Sequence, residues 1–138
     1  MSDQKKLTGG CLCKQLRYTC DAEPIGTYVC CCHRCQRWSG SVFFVGVSVP
    51  ADSVKSEGKL TKHSEAGGTT GRQVNRHFCP NCGSSLLLEI ETTGRIYIMA
   101  GTLDDTSNLK PIRAIFCDEK QPWLPLPEGL PQLAGPPG

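Results

Sequence analysis

The sequence predicts a mainly β domain, and three observations carry that prediction. Its apolar runs are short, rich in β-branched and aromatic residues, and separated by turn residues. None of them recurs with the 3.6-residue period of an amphipathic helix. Most of its ten cysteines fall into Cys-x-Cys or Cys-x-x-Cys groupings, the pattern of a small domain stapled by metal.

Taken in order, residues 1–8 are polar and expected to be loose. Gly9-Gly10 makes a turn that presents Cys11 and Cys13. Leu16 to Cys20 alternates with period two and reads as a strand leading away, broken by Glu23-Pro24-Ile25-Gly26. Thr27-Tyr28-Val29 leads into Cys30–Cys35, read as a short irregular loop. Val42 to Val49 is the most apolar run and predicts a buried strand that Pro50 closes. Ser53 to His63 holds two short strands around Glu57-Gly58-Lys59. Glu65 to Gly71 is a glycine-rich loop without the Gly-Lys-Ser/Thr ending of a phosphate-binding loop.

Arg72 to Phe78 predicts a strand running into Cys79-Pro80-Asn81-Cys82-Gly83, a tight knuckle in which Gly83 supplies a positive φ. Leu86 to Ile90 and Arg95 to Met99 are two further strands, joined by Thr92-Thr93-Gly94. Gly101 to Asp105 is turn-like, and Ile112 to Cys117 is a last strand. Prolines and glycines dominate from Pro122, so a tail from about 124 to 138 is expected to be extended or disordered. The whole, residues 1–138, is expected to be one domain.

The chain carries a net charge of only +2, which builds no field for nucleic acid or an anionic membrane. No stretch approaches the roughly 18 apolar residues of a membrane span, and no apolar run follows the first lysines. A cytoplasmic protein with reduced thiols is the expectation, and clustered thiols then point to metal. Cys20, Cys31 and Cys117 stand outside the clusters and read as small buried apolar side chains.

Cys11, Cys13, Cys79 and Cys82 make a matched set of four thiolates, as in a closed structural zinc site. Cys30, Cys32 and Cys35 supply three, which leaves a tetrahedral Zn²⁺ one ligand short and marks a reactive centre. Cys31 or His33 as a fourth, closing ligand is the competing reading. Two zinc ions per chain are expected, one structural and one catalytic. Zn²⁺ on three thiolates favours a soft ligand over water, so a substrate thiol should bind there. Lys14, Arg34, Arg37, Arg72 and Arg76 are candidates for substrate carboxylates, and His33 and His77 for proton transfer.

Gly9-Gly10-Cys11-x-Cys13, then Cys30-x-Cys32-x-x-Cys35 with Arg37-Trp38-Ser39-Gly40, then Arg76-x-Phe78-Cys79-x-x-Cys82-Gly83 occur in an order that resembles the glutathione-dependent formaldehyde-activating enzyme family. Gly101-Thr102-Leu103-Asp104-Asp105 and Lys120-x-Pro122-Trp123 extend the resemblance nearly end to end. It implies a β-tent of stacked antiparallel sheets and a carbon–sulfur lyase that adds glutathione to formaldehyde. It also implies that Cys11, Cys13, Cys79 and Cys82 hold the structural zinc and Cys30, Cys32 and Cys35 the catalytic one. Lys14 stands where the family often has glycine, and Cys31 where histidine is common. Two rival readings are a zinc-ribbon-like module that binds protein, or acts as a chaperone, without catalysis, and a thiol redox protein using Cys30 to Cys35. The partners expected are a small thiol and a small carbonyl compound; the oligomeric state is not legible.

Overall fold

The computed structural model describes residues 7–66 and 71–136. Ten strands and one short helix follow in the order β1 (Leu7–Gly10), β2 (Arg17–Cys20), β3 (Gly26–Cys30), α1 (His33–Ser39), β4 (Phe44–Pro50), β5 (Val54–Glu57), β6 (Thr61–Ala66), β7 (Gln73–Phe78), β8 (Ser85–Ile90), β9 (Arg95–Met99) and β10 (Arg113–Ile115). They form two sheets, a small one ordered β1-β2-β5 and a large one ordered β10-β3-β4-β9-β8-β7-β6. The mainly β prediction holds. Within the described strands all pairings are antiparallel save β10 on β3, which is parallel.

The main core lies where period-two alternation sends one face of the large sheet towards the small one. Val47, Val49, Ile96 and Ile98 point there and meet Leu16, Tyr18 and Cys20. Ile98 is fully buried, a burial that contributes about 1.5–3 kcal/mol. The alternate residues of the same strands, Phe44 on β4 and Tyr97 and Met99 on β9, turn to the opposite face and build a second cluster. That second cluster contains the sulfurs of Cys30 and Cys35.

The turn-like segment after β9 ties the sheets together. Tyr18 Oη and Thr102 Oγ1 share a hydrogen bond of 2.6 Å. Asp104 accepts from Thr8 Oγ1 at 2.7 Å and from both terminal nitrogens of Arg17. Gly9 is required here: a Cβ would lie 2.2 Å from the Tyr18 hydroxyl and 2.3 Å from the Thr102 carbonyl.

Four expectations are corrected. Leu7–Gly10 is a strand paired with β2, not a loose end followed by a turn. Gly26–Cys30 is a central strand, because its neighbours on both sides complete its hydrogen bonds. His33–Ser39 is helical where an irregular loop was expected; two turns are too few for the 3.6-residue period to show. The proline-rich tail, described to residue 136, is held, since Ala114 N–H donates to Pro131 O at 2.8 Å and Cys117 N–H to Leu133 O at 2.9 Å. Of the glycine-rich loop, residues 67–70 lie outside the described residues, and Glu65 and Ala66 belong to β6. No helix among the described residues is long and apolar enough to cross a membrane.

Candidate functional site

Two turns bring four cysteines from distant segments to one point. In the first, Lys14 N–H donates to Cys11 O at 3.2 Å and Lys14 takes a left-handed φ of 71°. In the second, Gly83 N–H donates to Cys79 O at 2.8 Å with φ 79° at Gly83. Backbone amides turn to sulfur: Leu16 N–H lies 3.2 Å from Cys11 Sγ and Cys82 N–H 3.5 Å from Cys79 Sγ. Ser84, through its hydroxyl 3.2 Å from Cys82 Sγ and its backbone, lowers that thiol to about 5.

The four sulfurs lie within 4.8 Å of one another, with Cys11–Cys13 at 3.5 Å and Cys13–Cys79 at 3.7 Å. A tetrahedral Zn²⁺ with sulfurs at about 2.3 Å sets them about 3.8 Å apart. The donor set therefore fits zinc with little adjustment.

The second group is built differently. Cys30 ends β3, Cys32 caps α1, and Cys35 lies in the first turn of the helix, donating its N–H to Cys32 Sγ at 3.3 Å. Gly40, left-handed at φ 67°, ends the helix by donating to Gln36 O. The three sulfurs lie within 4.8 Å of one another. They hold their protons unequally. Cys30 is pushed up by Cys32, Cys35 and its burial, whereas Cys32, accepting from Cys30, Cys35 and the Cys35 amide and facing Arg76, is pushed far down.

Neither candidate for a fourth ligand joins this group. Cys31, fully buried, packs with Val29 and Ala114 in a third cluster on the other face of β3. His33 is exposed and faces Glu119, which accepts its backbone N–H at 2.9 Å. The two groups can thus each hold a metal ion, one with four sulfurs and one with three.

The three-sulfur group opens on a cavity of about 380 Å³. Phe44 and Leu88, both buried, and Val74, Ile90, Ile115 and Phe116, partly buried, form its apolar wall. Arg34, Arg72 and Arg76 also reach it. Arg76 is only 5% exposed, donates from Nε to Glu65 Oε1 at 2.9 Å and lies 5.1 Å over the Trp38 ring. Glu65 takes a second guanidinium, from Arg34 at 2.9 Å, and the Arg76 hydrogen bond holds its carboxyl below the usual range. Arg76 Nη1 is buried without a hydrogen-bond partner. A buried donor left unmade costs about 1–3 kcal/mol, a cost that an acceptor reaching this nitrogen would remove.

Of the cationic residues read from the sequence, Arg34, Arg72 and Arg76 reach the cavity, whereas Lys14 shapes the first knuckle and Arg37 lies in the last turn of α1 outside the cavity lining. His77 faces Glu89 at 3.8 Å, its pKa lowered by burial, and is not on the cavity wall. Sequence reasoning missed Glu65, Gln36 and Glu119. Gln36 Nε2 donates to Cys31 O at 2.7 Å and to Glu119 O at 3.1 Å, which locks the cysteine segment to the later chain. A glutamine in a short polar helix gives no signal of such a bridge.

The family model described as glutathione-dependent formaldehyde-activating enzyme matches residues 6–119. Among curated proteins, none matches the chain.

Proposed function

This chain belongs to the glutathione-dependent formaldehyde-activating enzyme family, and on that premise we propose that it is a zinc-dependent carbon–sulfur lyase joining a small thiol to a small carbonyl compound. Glutathione is the first candidate for the thiol. The observation that supports this reading best is the group Cys30, Cys32 and Cys35: three convergent sulfurs, no fourth ligand among the described residues, and a cavity beside them.

Zinc held there would favour the thiolate form of an incoming thiol, since a soft ion bound by three thiolates prefers a fourth sulfur to water. The remaining work falls to the chain. Phe44, Leu88 and Phe116 keep water from the sulfur that attacks. Arg34 and Arg72 meet carboxylates at the rim. Arg76 stands ready with Nη1 to donate to the oxygen on which charge develops, a role worth several kcal/mol in a water-poor site. The second ion, on Cys11, Cys13, Cys79 and Cys82, is structural. The site is expected in the cytoplasm, where glutathione is reduced.

Glutathione should raise the melting temperature of the zinc-loaded protein, by the equivalent of about 2.7 kcal/mol at 100 times Kd. The analogue with serine in place of cysteine keeps both carboxylates and should bind far more weakly. Equal binding of the two would mean that sulfur is not what the site recognises. Cobalt in place of zinc should report the new sulfur by its visible spectrum, and Cys35→Ser should abolish that change.

A further inference from the structure

The reacting sulfur would enter an unusual neighbourhood for a polar tripeptide. Cys30 and Cys35 are members of an apolar cluster, not of a polar cleft, and share it with Phe44 and Leu88. That cluster is unfinished: Val74, Ile90 and Phe116 pack on it while part of each remains uncovered and faces the cavity. Two of the three arginines on the lining sit at its edge. Arg34, with a side chain 47% exposed, and the exposed Arg72 mark the mouth. Beyond them lies the buried Arg76 guanidinium, whose Nη1 has no hydrogen-bond partner.

A volume of about 380 Å³ falls in the usual range for small-molecule pockets, about 300–1,000 Å³. Formaldehyde offers this wall two hydrogens and leaves it bare. Apolar surface left against water forfeits about 25 cal/mol for each Å² that a ligand could cover.

We propose that the carbonyl partner is an aldehyde with an apolar body, seated against Val74, Leu88, Ile90 and Phe116 with its oxygen towards Arg76. This rests on the thiol-addition reading above. In the step, the thiolate sulfur forms a bond to the carbonyl carbon and the π pair of the C=O bond moves onto oxygen. The alkoxide accepts from Arg76 and then takes a proton from water, balancing the one the thiol released on binding. The product is a hemithioacetal.

The test uses the full-length protein loaded with zinc and saturated with glutathione, titrated calorimetrically with formaldehyde, 3-methylbutanal and benzaldehyde, each corrected for adduct formed in solution. The two larger aldehydes should bind at least tenfold more tightly than formaldehyde. Val74→Phe, which fills the cavity from β7, should collapse that ratio towards one. Ile90→Phe does the same from β8 and guards against a variant that fails to fold. Formaldehyde binding as tightly as benzaldehyde, or a ratio untouched by both variants, overturns the proposal and leaves thiol binding standing. Failure of glutathione itself to bind overturns both readings.

Discussion

The two cysteine groups use the same ligand atom and differ in almost everything else. Cys11, Cys13, Cys79 and Cys82 sit on two rigid turns whose amides already point at sulfur, and the group joins the small sheet to the large one. Cys30, Cys32 and Cys35 come from one strand end and one short helix, within an apolar cluster that is left open on one side. The first arrangement spends its geometry on satisfying the ion. The second can offer an ion three sulfurs, with an apolar wall beside them. Ligand count alone does not make that difference; what surrounds the ligands does.

The sharpest way to break the comparison is to remove one sulfur from each group. Cys79→Ser should lower the melting temperature by on the order of 10 °C or more, because metal binding there and folding are one free energy. Cys35→Ser should remain folded and retain one of two zinc ions by elemental analysis. The opposite ranking in thermal melts would exchange the roles.

A smaller effect sharpens the contrast from outside the ligands. Gln36→Ala removes three hydrogen bonds that fasten the cysteine segment, two donated to Cys31 O and Glu119 O and one accepted from Gln121 Nε2. It should cost about 1–2 kcal/mol and weaken zinc at the three-sulfur group, measured by chelator competition, about tenfold. Affinity at the four-sulfur group should not change, since the side-chain hydrogen bonds of Gln36 go to Cys31, Glu119 and Gln121.

The smallest effect lies on the sheet-joining side. Asp104, beside Arg17 and Thr8, is held down to about 2, below an ordinary carboxyl of about 3.9. A lowered folded value means that its stabilisation is present above about pH 4 and is lost as pH falls towards 2. Melts of the wild type and Asp104→Asn should differ at pH 5 and converge as the pH is lowered.

The sequence made the sulfur groups legible because metal ligands leave their spacing in the chain. Eight of the ten strands are legible in the sequence, six of them, among them Val42–Val49 and Arg95–Met99, to within two residues at either end. What stayed hidden was whatever depends on distant partners. Leu7–Gly10 is a strand only because β2 pairs with it, and Gly26–Cys30 only because β4 and β10 flank it. Lys14 illustrates the same limit from the other side: the resemblance flagged it as a departure from glycine, but the reason, a φ of 71°, belongs to the turn. Glu65 could not be found from sequence at all, since its two arginines arrive from α1 and β7.

The span of chain that each group must close has a consequence for how the ions arrive. Cys13 and Cys79 are 66 residues apart, so bringing their sulfurs together requires a long loop to close and most of the large sheet to have formed. Cys32 and Cys35 are three apart and already share a hydrogen bond across one helical turn. During refolding in scarce zinc, the first ion should therefore be captured by the three-sulfur group while the rest of the chain is still searching. On the proposed reading, the ion assigned to chemistry would be the earlier arrival, and the one assigned to holding the fold together the later.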